Sequence, residues 1–463
     1  MGDASEDGRV TANDQATVAG RRTRFVALRP LRHRGFALVW GAALVSNVGT
    51  WMETVAVGDL VANRTGEAGW TAVVAAAGFL PMGLMGPIGG AIADRVDRRR
   101  FVFWTTALHA LCALALTLLT ATGNASPGAV AAIVFVAGCV AGIGFPAYTA
   151  MTPDLVPPED LLGAVSLGQA QYNLGRVVGP ALAGIAISLG SYTWAFAINT
   201  VSFGAMLLAV RALRLPPPVP SADGTGAESL WARIRVGARA ARAEPGVRAA
   251  IGTITLVGLT ASPFIALLPA MARVRHDGGA ALTSTFVTAQ GIGAVAGALV
   301  VPALAERFGR HRLLMAGLVV LPVALTLYGL APTPGTATVG LAVVGATYIC
   351  VFSGIGAVVQ MRAPAALRAR VVSLYFLALG VAYPLGSAIQ GPIADRVGLP
   401  EVTAGAALVL LAAVALLRTF HPSTLAALAA DPPVVPGPPV VPGPPAAAVP
   451  GVTEGRPAWD TPR

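Results

Sequence analysis

Twelve apolar runs, each of about 20 residues or more, decide what this chain can fold into. They lie at 36–61, 70–92, 101–122, 128–150, 162–189 and 193–213, then at 249–270, 281–304, 313–331, 337–360, 371–394 and 400–418. A helix of that length crosses the hydrocarbon core of a bilayer and satisfies its own backbone hydrogen bonds there. Short connections between most runs require antiparallel neighbours. Composition agrees: 55% of residues are hydrophobic, 12% are charged, and mean hydropathy is +0.69. So apolar a chain cannot keep a water-facing surface, which excludes soluble enzymes, nucleic-acid binders and secreted disulfide scaffolds. The expectation is an all-α integral membrane protein with 12 transmembrane helices in two pseudo-symmetric six-helix bundles.

The domain plan follows: an Arg-rich leader (1–35), an N-terminal bundle (36–213), a linker with an amphipathic helix (214–248), a C-terminal bundle (249–420) and a Pro-rich disordered tail (421–463). The net charge of +10 rests on 32 arginines, with no lysine. An even number of spans puts both termini on one side. Taking that side as inside places 27 arginines in inside segments. Only Arg64, Arg273, Arg275 and Arg396 fall outside, and Arg176 is left within a span. Such a bias marks cytoplasmic loops, so both termini are expected in the cytoplasm and the chain in the plasma membrane. No cleavable signal peptide is evident. Cys112, Cys139 and Cys350 all sit in apolar runs and read as small hydrophobes. In the linker, Leu230, Ile234, Gly237 and Ala241 share one helical face, with Arg235, Arg239 and Arg242 elsewhere on the turn. That pattern suits a helix lying on an anionic leaflet or a solvated basic linker.

The loop after the second run reads Gly90-Ala-Ile-Ala-Asp94-Arg95-Val-Asp97-Arg98-Arg99-Arg100. Glycine permits close helix approach, and an acid beside a basic cluster can latch onto the exposed amides of a neighbouring helix terminus. An offset of 212 residues maps Asp94, Arg95 and Arg98 onto Glu306, Arg307 and Arg310. The same offset maps Gly175-x-x-x-Gly179-Pro180 onto Ser387-x-x-x-Gly391-Pro392, while Val165-Ser166-Leu167 recurs at 207. Two related six-helix halves explain this pattern.

On these residues the chain resembles the major facilitator superfamily over roughly 25–420. Gly90–Arg100 is similar to that superfamily's loop 2–3 signature. Gly175-x-x-x-Gly179-Pro180-x-x-Ala183-Gly184 is similar to the fifth-helix motif of drug–proton antiporters, with Ala183 in place of one glycine. Ser46-Asn-Val-Gly49-Thr-Trp51-Met, Pro153-Asp-Leu-Val156 and Asn173-Leu-Gly-Arg176 through Pro180 look like the enterobactin-exporter and macrolide-efflux branch. The resemblance implies alternating-access export driven by proton entry. Glu53 and Asp59 stand where that branch implies Gln and an aromatic, which leaves the coupling ion open.

Helical geometry locates the polar residues. At 100° per residue, Ser46, Asn47, Thr50, Glu53 and Thr54 fill an arc of about 120° on span 1. Gln169, Tyr172, Asn173 and Arg176 share about 100° on span 5. Polar arcs in apolar helices face protein or a water-filled cavity. Gly168, Gly175 and Gly179 form an adjacent packing stripe, which Pro180 and Gly184 extend. Arg176 lies too deep to snorkel, and Glu53 is the carboxylate nearest in depth. Their pair reads either as a proton-responsive site or as a fixed ion pair pinning helices 1 and 5, with Arg176 as an anion site a further option. Asp59 is expected to be an interfacial charge near Arg64. Gln290, Tyr348, Tyr383 and Gln390 are candidate cavity residues of the second half, and His109 is a buried neutral histidine. No phosphate loop, metal-ligand cluster or nucleophile triad appears, so neither cofactor nor metal is expected.

The expected function is secondary export of a small amphipathic molecule, a drug-like metabolite or a siderophore, with the proton as coupling ion and the monomer as the working form. Import, lipid flipping and a transport-dead sensor or scaffold are the alternatives.

Overall fold

The computed structural model describes residues 28–93, 96–189, 191–213, 230–364 and 367–429. The first half holds α1 (Arg34–Thr65), α2 (Ala68–Ala93), α3 (Arg98–Ala121), α4 (Pro127–Ala150), α5 (Leu161–Leu189) and α6 (Tyr192–Ala212). The second holds α7 (Pro245–Arg275), α8 (Ala280–Phe308), α9 (Arg310–Gly329), α10 (Pro334–Arg362), α11 (Arg368–Val397) and α12 (Leu399–Phe420). Among the described residues, eleven helices are long and apolar enough to cross a membrane. The 29-residue α5 falls short of that apolarity because it carries Gln169, Gln171, Asn173 and Arg176.

Local chemistry sets the ends. Gly66 takes the left-handed conformation (φ 67°) that stops α1. Ser126 caps α4 ahead of Pro127, and Thr333 with Thr336 forms a capping box ahead of Pro334. Within α7 the helix breaks between Thr260 and Phe264, then widens into a π-type turn at Met271–Arg275. Gln390 of α11 repairs the break, its amide donating to the Leu259 and Thr260 carbonyls at 2.9 and 3.0 Å.

Packing reproduces the repeat. The pairs α2–α4, α3–α6 and α1–α5 have counterparts in α8–α10, α9–α12 and α7–α11. Between halves, α2 meets α11 and α5 meets α8, two contacts that exchange under the same correspondence. Gly138 and Gly142 bring α4 against the backbone of α2, and Gly293 and Gly297 bring α8 against α10 in the same way.

At the flanks, the linker helix packs on protein and the tail departs from expectation. The linker helix Leu230–Ala243 spends its small-residue face on protein: Gly237 abuts Arg370 and Leu374 of α11, and Ala241 is buried. Arg235, Arg239 and Arg242 are exposed. The tail is not wholly irregular either. Pro422–Ala429 forms a helix that buries Leu425 and Leu428 beside α7 and α12, because those leucines find an apolar seat. The rest of the Pro-rich tail lies outside the described residues.

Candidate functional site

The bundle has a proximal end, which carries the linker, and an opposite, distal end. α5 approaches α1 through glycine. A Cβ on Gly175 would lie 3.0 Å from Asn47 Cβ, and one on Gly179 would lie 2.6 Å from Trp51 Cβ. Pro180 is buried beside them. Gly184 points elsewhere and abuts Ser284 of α8. Two glycines do not pack as expected: a Cβ at Gly168 or Gly90 would meet nothing within 4 Å. One residue before Gly168, the Leu167 carbonyl accepts from the Trp40 indole of α1 at 2.9 Å.

The two polar arcs flank this seam. Thr50 and Thr54 donate to the carbonyls of Ser46 and Thr50, and Asn173 donates to that of Gln169. Thr50, Thr54, Gln169, Tyr172 and Asn173 are exposed, while Asn47 is half-buried against Gly175. Tyr172 meets Trp51 edge to face at 5.8 Å.

The expected Glu53–Arg176 pair does not form. Glu53 Oε2 accepts from Asn199 Nδ2 of α6 at 2.7 Å, and Asn199 Oδ1 accepts from Ser202 Oγ at 3.0 Å. Arg176 Nη2 donates to Gln290 Oε1 of α8 at 2.8 Å, with its guanidinium 5.7 Å from the Trp51 ring centroid. Helical position explains the separation. α5 touches α1 at Asn47, Val48 and Trp51, whereas Glu53 lies beside Gly49, which leaves room for Asn199 and Ser202. Asn199 and Ser202 were not anticipated, although two polar residues at i, i+3 in the apolar 193–213 run were a usable signal. Tyr383 also departs from expectation. It is buried edge to face against Phe79 of α2 at 5.2 Å, joining the halves rather than facing a cavity. His109 reaches the Ala137 carbonyl at 3.1 Å and stacks on Phe203. A cavity of about 500 Å³ between α10 and α11 is lined by Phe352, Ser353, Gln360, Met361, Tyr375 and Phe376.

At the distal end a charged network ties both halves. Asp59, 0% exposed, accepts from Arg273 Nε at 2.7 Å and Nη2 at 2.5 Å, from Thr283 Oγ1 at 2.6 Å and from Tyr192 at 2.8 Å. Arg273 also donates to Asn63 Oδ1 at 2.9 Å. Asp59 is therefore buried and paired across the halves, not an interfacial partner of Arg64, which donates instead to the Gly123 carbonyl. The π-type turn in α7 is what brings Arg273 onto α1.

A carboxylate latch on a helix terminus is present at a residue the loop signature did not single out. Asp395, near the end of α11, accepts from the first amides of α2, Ala68 at 2.6 Å and Gly69 at 2.8 Å. Asp94 and Arg95 lie outside the described residues. Arg98 bonds within its own half, to Asp154 at 3.1 Å and the Ala150 carbonyl at 3.3 Å. Glu306 does not cap a helix, because α8 continues past it to Phe308 and leaves it exposed. Arg307 lies over the Phe308 ring, and Arg310 reaches Met361 Sδ at 3.2 Å. A signal for Asp395 was present: Ile393-Ala-Asp-Arg-Val397 repeats Ile92-Ala-Asp-Arg-Val96 letter for letter.

Paired six-helix halves, polar faces on α1 and α5 and a charged closure at one end define a multi-pass membrane transporter of small molecules. The chain belongs to the transmembrane secretion effector family, whose profile matches residues 25–441. It is 30% identical over 376 residues to the multidrug efflux pump Tap of Mycolicibacterium fortuitum, covering 78% of this chain and 90% of Tap. Macrolide efflux protein A of Streptococcus pyogenes is 25% identical, with 79% and 90% covered, and the enterobactin exporter EntS of Escherichia coli is 26% identical, with 78% and 85% covered. The resemblance drawn from the motifs thus points to the right branch. A peptide transporter POT shares the fold, with a TM-score of 0.68, 14% identity and coverage of 85% of this chain and 95% of that one.

Proposed function

We propose that the chain exports a small amphipathic molecule from the cytoplasm by alternating access, in exchange for protons. Both termini lie in the cytoplasm of the plasma membrane, and the monomer is the working unit. The Asp59–Arg273 network and the Asp395 latch then close the outward side. The observation that carries proton exchange is Glu53. Within the described spans Asp59 is neutralised by Arg273, whereas Glu53 has a single amide partner and no ion pair. A carboxylate so placed changes its proton occupancy as its own surroundings are hydrated or closed off, which is the requirement for an antiport site. Export by the relatives Tap and EntS supports the direction. The test is substrate-dependent proton movement in proteoliposomes, using a panel of fluorescent amphipathic dyes. Glu53→Gln is expected to abolish proton movement while dye binding persists. Unchanged proton movement in a stable Glu53→Gln protein removes Glu53 from the mechanism.

A further inference from the structure

The crossing of α5 and α8 places an incompletely satisfied donor pair between the halves. Arg176 is half-buried there and forms no ion pair among the described residues. Its one hydrogen bond goes to the neutral Oε1 of Gln290, so the guanidinium keeps its full positive charge and most of its five N–H donors. Gln290 is 2% exposed, and its Nε2, fixed beside Oε1 by the planar amide, is buried without a partner. A buried donor left unmade is costly, so such groups ordinarily find an acceptor. The guanidinium lies over the Trp51 ring, 5.7 Å from its centroid, a cation–π contact that uses none of its N–H donors. Trp51 carries Tyr172 edge-on, and Tyr172 is 44% exposed beside it.

We infer that Arg176 and Gln290 form an anion seat, and that the preferred cargo is an aromatic molecule bearing a carboxylate or comparably acidic oxygen. The acid oxygens bridge the guanidinium edge and the Gln290 Nε2–H, and the ring packs against Trp51 and Tyr172. Charge decides the selectivity. A guanidinium without a carboxylate partner attracts an anion and repels an ammonium, and the low-dielectric surroundings strengthen both effects. Glu53 does not cancel this field at contact, since it faces Asn199 on the α6 side of α1. The inference rests on the export reading for its meaning as cargo, but the seat itself is a binding property.

The test uses the full chain in nanodiscs and three probes that share a ring system: 2-naphthoate, 2-naphthylmethanol and 2-naphthylmethylammonium. Binding is read from tryptophan fluorescence. The seat requires naphthoate to bind at least about tenfold more tightly than the ammonium, with the alcohol between them. Gln290→Glu supplies Arg176 with a carboxylate and removes the free donor at nearly constant volume. It is expected to abolish the preference for naphthoate, as is Arg176→Gln, and one folded variant suffices. Equal binding of the three probes by the unmodified chain overturns the seat without any variant, and so does a preference that survives in Gln290→Glu. The two readings fail separately. Dye export from proteoliposomes with no preference among the probes keeps export and removes the seat, whereas a charge preference without export does the reverse.

Discussion

Two carboxylates six residues apart on α1 live in opposite circumstances. Asp59 is saturated by Arg273, Thr283 and Tyr192, while Glu53 holds one amide. Removing the charge of Asp59 strands a guanidinium that is only 18% exposed. Asp59→Asn should therefore cost about 3 kcal/mol, read as thermal unfolding in detergent. Arg273→Met in the same background should recover much of that loss, and simple additivity of the two substitutions would argue against a coupled pair. Glu53→Gln keeps an oxygen for Asn199 and should leave stability within about 0.5 kcal/mol, with its effect confined to transport. The sequence made both acids conspicuous but misassigned their partners. Helical arcs say which residues share a face; they do not say which neighbouring helix that face meets, and the choice between α5 and α6 rested on Gly49 and Gly175.

At the scale of helices, α2 and α11 run antiparallel, and the second terminates on the first. Two charge-assisted bonds to backbone amides are worth about 1–2 kcal/mol. Asp395→Ala should thus raise the distally open population by about tenfold. A cysteine at Thr54, labelled from the distal side with an impermeant maleimide, would report that change. Gly69→Ala should act likewise, because its Cβ would sit 2.6 Å from Asp395 Oδ2. Unchanged labelling in both variants would dismiss the latch. At the proximal end Glu244 caps α7 and pairs with Arg362. Burial opposes its ionisation, but hydrogen bonds from Arg362 and from the Val247 and Gly246 amides outweigh burial and hold the carboxyl below its usual range. Its contribution is present above the unfolded carboxylate pKa and is lost as pH falls through the folded one. Glu244→Ala should lower thermal stability at pH 7 by about 1–2 kcal/mol, a difference that disappears in strong acid. The helices themselves were legible, since a bilayer makes apolar length nearly decisive. The linker and tail helices were less so, because their faces gain meaning only from the α7, α11 and α12 surfaces they cover.

For the molecule as a whole, the internal repeat foretold the paired architecture, and the α2–α4 pairing, matched in the second half by α8–α10, bears it out. The distal network was not foretold. It assembles Asp59, Tyr192, Arg273 and Thr283 from α1, α6, α7 and α8, and no spacing in the chain announces so dispersed a cluster. Orientation rests on 27 arginines against four. Reporter fusions at residue 220 and after residue 463 should both read as cytoplasmic, and an outside signal from either would reverse the direction assigned to transport. In the proposed orientation, the exposed Asp395 and the start of α2 face the medium. An antibody fragment or small molecule that braced that seam from outside could arrest the pump without entering the cell. If the chain exports as proposed, such a blocker would act without ever becoming cargo.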